Sequence, residues 1–80
     1  MKIGDRYICK KIDINYFDKQ ITTIGKIYEI IQISDNIIEI NSDIDLKIYY
    51  NLDYDIKKDY YIWDYFYTKE EMRILKLESL

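Results

Sequence analysis

Alanine, valine, proline and histidine are all missing from this 80-residue chain, and it has one cysteine and two glycines. Without histidine there is no imidazole to bind a metal, relay a proton or activate a thiol. The lone Cys9 excludes a disulfide within the chain, and with no histidine a Cys/His zinc site in one chain is excluded too. Cys9 is expected to be a reduced, small buried hydrophobe rather than a nucleophile. Long apolar runs are also missing. Groups such as Tyr65-Phe66-Tyr67 fall far short of the roughly 20 residues a membrane span needs. The opening stretch "MKIGDRYICKKIDIN" is interrupted by charge every few residues, so no secretory signal is read there. The expectation is a cytoplasmic protein with no membrane contact.

The residues that are present are as skewed as those that are absent. Isoleucine fills 18 positions and tyrosine 10. The missing types all need G or C in their codons. The abundant ones (isoleucine, lysine, asparagine, tyrosine, aspartate) are written largely with A and T. That is the signature of an AT-rich genome, such as a low-GC bacterium or its phages. Eighty residues make one domain, 1–80, with a modest core. Such a domain needs dense packing of its isoleucines and tyrosines, or a homodimer, to bury enough apolar surface.

Charge is unevenly spread. Residues 1–28 carry six Lys/Arg against three Asp/Glu, for +3; residues 29–67 carry three against nine, for −6; residues 68–80 balance, giving −3 in total. An acidic middle argues against direct binding to a nucleic-acid backbone, which wants net positive charge. It suits an acidic face that meets a basic partner.

Strand signals dominate the first two thirds. Residues 7–12 (YICKKI) are rich in β-formers and follow the turn-type pair Gly4-Asp5. Residues 13–20 read as a polar connection and 21–24 (ITTI) as a short strand. Gly25-Lys26 is then a turn. Residues 27–33 and 37–40 read as two strands joined by Ser34-Asp35-Asn36. In 37–40, Ile38 and Ile40 share one face; in 46–50, Leu46, Ile48 and Tyr50 share one face, opposite Lys47 and Tyr49. Residues 27–33 are apolar on both faces: Tyr28 and Ile30 on one, Ile27, Ile31 and Ile33 on the other. This points to a central strand, a bulge, or a second face covered by something else. Five short strands with turn signals about every ten residues predict a mainly β, partly open five-stranded antiparallel barrel of the SH3-like type over 1–67. An OB-fold is the alternative.

The tail reads differently. In "YTKEEMRILKLESL", Thr68 stands three residues before Glu71, a capping box. Glu70 and Glu71 lie in the first turn and Arg73 and Lys76 follow, as the helix dipole prefers. The pattern predicts a C-terminal helix of about ten residues within 68–80, with Met72, Leu75 and Ser79 on one face; the rival is a strand through 74–77. Residues 51–66 (NLDYDIKKDYYIWDYF) are the least regular, read as a long loop or an irregular strand. Trp63 and Phe66 are expected to close one end of the barrel.

No constellation for catalysis, metal or cofactor emerges. The pairs Asp43/Asp45, Asp53/Asp55 and Asp59/Asp64 lack the central glycine and terminal glutamate of a calcium loop. A glycosidase pair needs a deep cleft. No enzymatic activity is expected. The tyrosines at 49, 54, 60, 61, 65 and 67 cannot all be buried in so small a domain. Exposed tyrosine offers large rigid area with a polar tip, which interfaces favour. Base stacking is the other use of such rings, but aspartates frame them here and would repel phosphate.

The segments Gly4-Asp5-Arg6-Tyr7-Ile8-Cys9, Gly25-Lys26-Ile27-Tyr28-Glu29-Ile30 and Tyr65-Phe66 form a pattern, GD-x-Y-x-C … GK-x-Y-x-I … YF. In it the chain resembles a loose class of small SH3-like-barrel proteins encoded by phages and mobile elements of low-GC bacteria. The resemblance implies a scaffold over residues 3–66 and no catalytic residue. It also implies a setting, since some small acidic phage proteins bind and block bacterial defence machinery, including CRISPR nucleases. The expectation is a non-enzymatic inhibitor or modulator that binds a bacterial protein with a basic surface. The expected partner-binding residues are Asp43, Asp45, Asp53, Tyr54, Asp55, Asp59 and Tyr60. The alternatives are an oligomeric sponge for nucleotides or other small ligands, using Lys10, Lys11 or Lys26 for phosphate, and a structural phage module.

Overall fold

In a computed structural model of the chain, residues 1–14, 18–53 and 60–75 are described. The protein is mainly β. Strands β1 (Arg6–Ile8), β2 (Ile27–Glu29), β3 (Gln32–Ser34), β4 (Ile37–Asn41) and β5 (Lys47–Asn51) are followed by a one-turn helix α1 (Ile62–Tyr65) and helix α2 (Lys69–Ile74). All ladder pairings are antiparallel. β1 pairs with β2, and β3, β4 and β5 form a second sheet in that order. Among the described residues these two ladders do not join into one closed barrel.

The chain between β2 and β3 explains the apolar pattern on both faces of 27–33. Ile30 N–H donates to Asp5 O (2.8 Å), still in the first sheet, whereas Ile31 N–H donates to Glu39 O (3.0 Å), in the second. The backbone changes partner at this one peptide, so the single expected strand becomes two. The phase of burial changes with it. Tyr28 and Ile30 point inward before the switch, and Ile33 packs on the core after it. An even set gives way to an odd set, as an inserted residue requires. Ile27 stays 43 % exposed, so among the described residues its face of the strand is largely open.

The alternation in 37–40 is realised: Ile38 and Ile40 are buried and Ile37 is exposed. In β5, Ile48 and Tyr50 are buried, but Leu46 lies ahead of the strand and is exposed. Two other expected strands are shortened or lost. The first ends at Ile8: beyond it Cys9 N–H still donates to Lys26 O, but Cys9 O accepts from Gly25 N–H, out of register, while on the strand's other side Lys10 N–H donates to Tyr65 O and Tyr67 N–H to Ile8 O. Residues 21–24 form no strand. Ile21 and Thr22 are buried, and Lys26 N–H donating to Thr23 O closes a turn with Gly25 at φ 85°. A left-handed φ is open to glycine without a Cβ clash.

Helix α2 starts as its sequence dictates. Thr68 Oγ1 accepts from Glu71 N–H (3.1 Å), and Glu71 Oε1 accepts from Thr68 N–H (3.0 Å). Ile74 is helical and Leu75 caps the helix, so neither begins the rival strand; residues 76–80 lie outside the described residues. The helix buries Met72 alone; Leu75 is its exposed C-cap, and Ser79 lies outside the described residues. Ion pairs from Lys69 to Asp5 (3.4 Å) and from Lys10 to Glu71 (3.9 Å) hold α2 against the start of the chain.

The core is Tyr7, Ile8, Cys9, Ile21, Tyr28, Ile30, Ile38, Ile40, Ile48, Tyr50, Ile62, Phe66 and Met72. Phe66 lies at its centre, edge-on to both Tyr28 (5.8 Å) and Tyr50 (5.3 Å), and such pairs add about 1 kcal/mol each beyond area burial. Trp63 is only half-buried and meets Tyr7 edge-on. Cys9 is fully buried, and its thiol donates to Lys11 O at 3.1 Å. Burial, the largest influence, raises its pKa above the usual thiol value. The small-hydrophobe reading of Cys9 therefore holds.

Candidate functional site

Two features of β5 define the site: an open edge and a cleft beside it. Ser42 N–H donates to Leu46 O and Leu52 N–H to Asn36 O, both at 2.7 Å. These bonds share the β4–β5 register. Ile48 and Tyr50 therefore exchange backbone bonds with β4, while Lys47, Tyr49 and Asn51 turn their N–H and C=O groups to the other side. Asn51 N–H is taken by Tyr60 O (2.7 Å), where Tyr61 bridges Asn51 in parallel. Among the described residues, the outward backbone groups of Lys47 and Tyr49 have no hydrogen-bond partner.

Along this edge runs a cleft of about 320 Å³, lined by Asp13, Ile14, Ile21, Lys47, Ile48, Tyr49 and Tyr60. Tyr49 (55 %), Ile14 (52 %) and Tyr60 (44 %) are its exposed apolar walls. Tyr60 has φ 62°, a left-handed value that is strained for a bulky side chain. Its ring is held by stacking on Tyr65 (5.9 Å between centroids) and by an edge contact with Tyr50.

The polar wall is Asp13, buried at 4 % exposure. Its Oδ2 accepts from Tyr50 Oη (2.9 Å) and its Oδ1 from Ile14 N–H (2.9 Å), while its own N–H donates to Thr22 Oγ1 (2.8 Å). Burial first, and then the Asp13 carboxylate, push the Tyr50 hydroxyl far above its ordinary pKa. Nothing in the sequence marked Asp13, because its partner Tyr50 is 37 positions away.

The expected binding residues separate into four groups. Asp43 turns inward. It accepts from Lys26 Nζ (2.6 Å), Thr23 Oγ1 (2.6 Å) and Tyr28 Oη (2.8 Å). Partial burial alone would raise its pKa, but the three donors outweigh that and hold it below the ordinary value. Its role is internal: it joins the β4–β5 connection to the Gly25 turn and to β2. Asp45 and Asp53 are exposed at the two ends of β5. Asp45 has φ 64°, which aspartate tolerates, in a turn held by Ser42 Oγ accepting from Leu46 N–H (3.0 Å). Tyr60 forms a wall of the cleft. Tyr54, Asp55 and Asp59 lie outside the described residues.

Lys10, Lys11 and Lys26, the lysines expected to hold phosphate, are engaged within the molecule. Lys10 pairs with Glu71 and lies over the Tyr67 ring, Lys11 lies over Tyr65 (5.0 Å), and Lys26 pairs with Asp43 and lies over Tyr28 (5.4 Å). A phosphate bound there would compete with those contacts. Among the described residues no group of three Asp, Glu, Cys or His side chains is placed to hold a metal. No helix among the described residues is long and apolar enough to cross a membrane. No family model, no curated protein and no solved structure matches this chain.

Proposed function

We propose that this chain has no chemistry of its own and acts by binding a bacterial protein with a basic surface, inhibiting or modulating it. One observation carries the reading. The exposed rings of Tyr49 and Tyr60 flank an apolar cleft on a strand bracketed by exposed Asp45 and Asp53, within a segment of net charge −6. Rigid aromatic area beside a pocket is where binding energy concentrates at interfaces. The surrounding negative charge would speed encounter with a basic partner and make it salt-sensitive. The phage-type setting, with a defence protein such as a CRISPR nuclease as target, follows from the sequence resemblance and belongs to the same proposal.

The test is affinity capture from a lysate of a low-GC bacterium with quantitative mass spectrometry, at low and high salt. The double variant Asp45→Asn/Asp53→Asn keeps the fold, since asparagine also tolerates the left-handed φ at 45. A specific host protein should be retained by the wild-type chain, lost at high salt and weakened by the double variant. Capture that is indifferent to both salt and the double variant would sink the acidic-surface reading.

A further inference from the structure

The free edge of β5 says how such a partner would be held. Strand edges that expose paired N–H and C=O groups are templates for another strand, and folded proteins usually shield them. Among the described residues, β5 is shielded at one end only. There the chain's own Tyr60 carbonyl takes the Asn51 N–H, so this edge already accepts backbone pairing. From Asn51 back to Lys47 the pairing stops, and there the cleft walled by Ile14, Ile48 and Tyr49 opens. A hydrogen-bonding edge beside an apolar cleft is the layout that strand addition uses: main-chain bonds supply affinity and pockets for alternate side chains supply specificity.

Charge decides between the occupants such an edge can take. In a second copy paired antiparallel on the same edge, each chain would bring Asp45 and Asp53 to an edge that already carries both, with −3 on each protomer. Like charges facing across strands are unfavourable. A basic segment meets the opposite situation. Side chains alternate across a strand. One set of an added strand would then face Ile14, Ile21 and Ile48 within the cleft. The other set would lie on the solvent side, over the Tyr49 ring and toward Asp45 and Asp53. Lys47, the one cation on that side of β5, is paired with Glu39 (3.8 Å). The cleft set suits aliphatic residues, and the solvent set suits lysine or arginine, which also pack over tyrosine rings.

We propose that the partner contributes an extended segment of alternating aliphatic and basic residues, which adds as a further strand to the Lys47–Tyr49 edge of β5. This rests on the partner-binding reading above and names its mode: backbone pairing at one edge rather than side-chain contact across a face.

The test uses the full chain and a synthetic peptide of alternating lysine and valine, followed by amide NMR and calorimetry. A control peptide replaces lysine with glutamate, and another is N-methylated on alternate amides. Tyr49→Pro removes an N–H that points away from β4, a position where an edge strand tolerates proline; Tyr49→Ala removes the ring and keeps the N–H. The expected result is binding of the basic peptide, with shifts at Lys47–Tyr49 and Tyr60. N-methylation or Tyr49→Pro should weaken it about tenfold or more, as loss of a charge-supported backbone bond implies, and Tyr49→Ala should weaken it less. The N-methylated peptide keeps the answer available if Tyr49→Pro fails to fold. Binding indifferent to N-methylation overturns strand addition and leaves the acidic-surface reading standing. Equal binding of the glutamate peptide at the same edge overturns the basic-partner reading and leaves strand addition standing. No binding of either peptide overturns both. A dimer in sedimentation that Tyr49→Pro dissociates assigns the edge to a second copy and overturns the proposal.

Discussion

The Tyr50 hydroxyl donates to the Asp13 carboxylate at 2.9 Å, and both side chains are buried, at 0 % and 4 % exposure. This bond fixes the polar wall of the cleft to β5, the edge strand of the second sheet. Removing the donor strips a buried carboxylate of one of its two side-chain hydrogen bonds. Tyr50→Phe keeps the ring and its contacts with Phe66 and Tyr65, so it isolates that loss. It should cost about 2 kcal/mol, the scale of a hydrogen bond to a charged group. Urea denaturation reads it directly. Tyr49→Phe, on the exposed side of the same strand, should fall within about 0.5 kcal/mol of wild type.

The Asp43 hub gives stability an acid limb and an alkaline one. Asp43 is held below its ordinary value of 3.8 by Lys26, Thr23 and Tyr28. A depressed carboxyl contributes stability above the unfolded-state pKa and loses it as pH falls through the lower folded value. Stability should therefore decline below about pH 4, and Asp43→Asn should flatten part of that decline. Tyr28 runs the other way. Its burial, and then its bond to Asp43, raise its pKa from 10.0 to about 12. Above pH 10.0 the unfolded chain gives up this proton and the folded chain keeps it, so stability should fall as pH rises toward about 12. Denaturation curves across pH, with phenolate absorbance followed in parallel, check both signs. An Asp43→Asn curve that parallels wild type throughout the acid range would contradict the hub.

Thr68 satisfies orphan donors at the start of a helix only six residues long. Thr68→Ala should cost about 1 kcal/mol, the usual worth of an N-cap. Part of that loss should appear as weakened docking of Met72 and of the Lys69–Asp5 pair. Thermal unfolding followed by circular dichroism reads the shift, and Thr68→Ser should restore most of it.

Cys9 is fully buried with its pKa raised. Alkylation by iodoacetamide should be slow in the folded protein and become fast only when the chain unfolds. Its rate should then track the unfolded population as denaturant rises. Rapid labelling under native conditions would overturn the buried-thiol assignment.

The parts legible in the sequence were those set by neighbours. Alternation alone placed Ile38, Ile40, Ile48 and Tyr50 inward, and Thr68 with Glu71 announced a helix start before any tertiary contact. What escaped was decided by distant partners. Whether residues 27–33 form one strand or two depends on Asp5 and Glu39, whose carbonyls take Ile30 and Ile31 into different sheets. Local pattern showed only that the phase was anomalous there. Of Asp43 and Asp45, two positions apart, one closes a hydrogen-bonded hub and the other lies in an exposed turn, because Lys26 and Tyr28, 17 and 15 positions from Asp43, reach it in the fold. Net charge gave both the same role. The cleft itself was invisible, since Ile14, Ile48 and Tyr60 meet only in three dimensions. The Asp- and Tyr-rich surroundings of Tyr60 point to a surface; its place at the end of an open edge is what the fold adds.

Amide hydrogen exchange on the captured complex, read by mass spectrometry, tests the central claim most directly. Binding through the cleft and its edge should slow exchange in peptides covering 45–53 and around Tyr60, and leave the exposed Ile24–Ile27 region unchanged. Protection confined to Ile24–Ile27 or to α2, with 45–53 exchanging as in the free protein, would contradict the account.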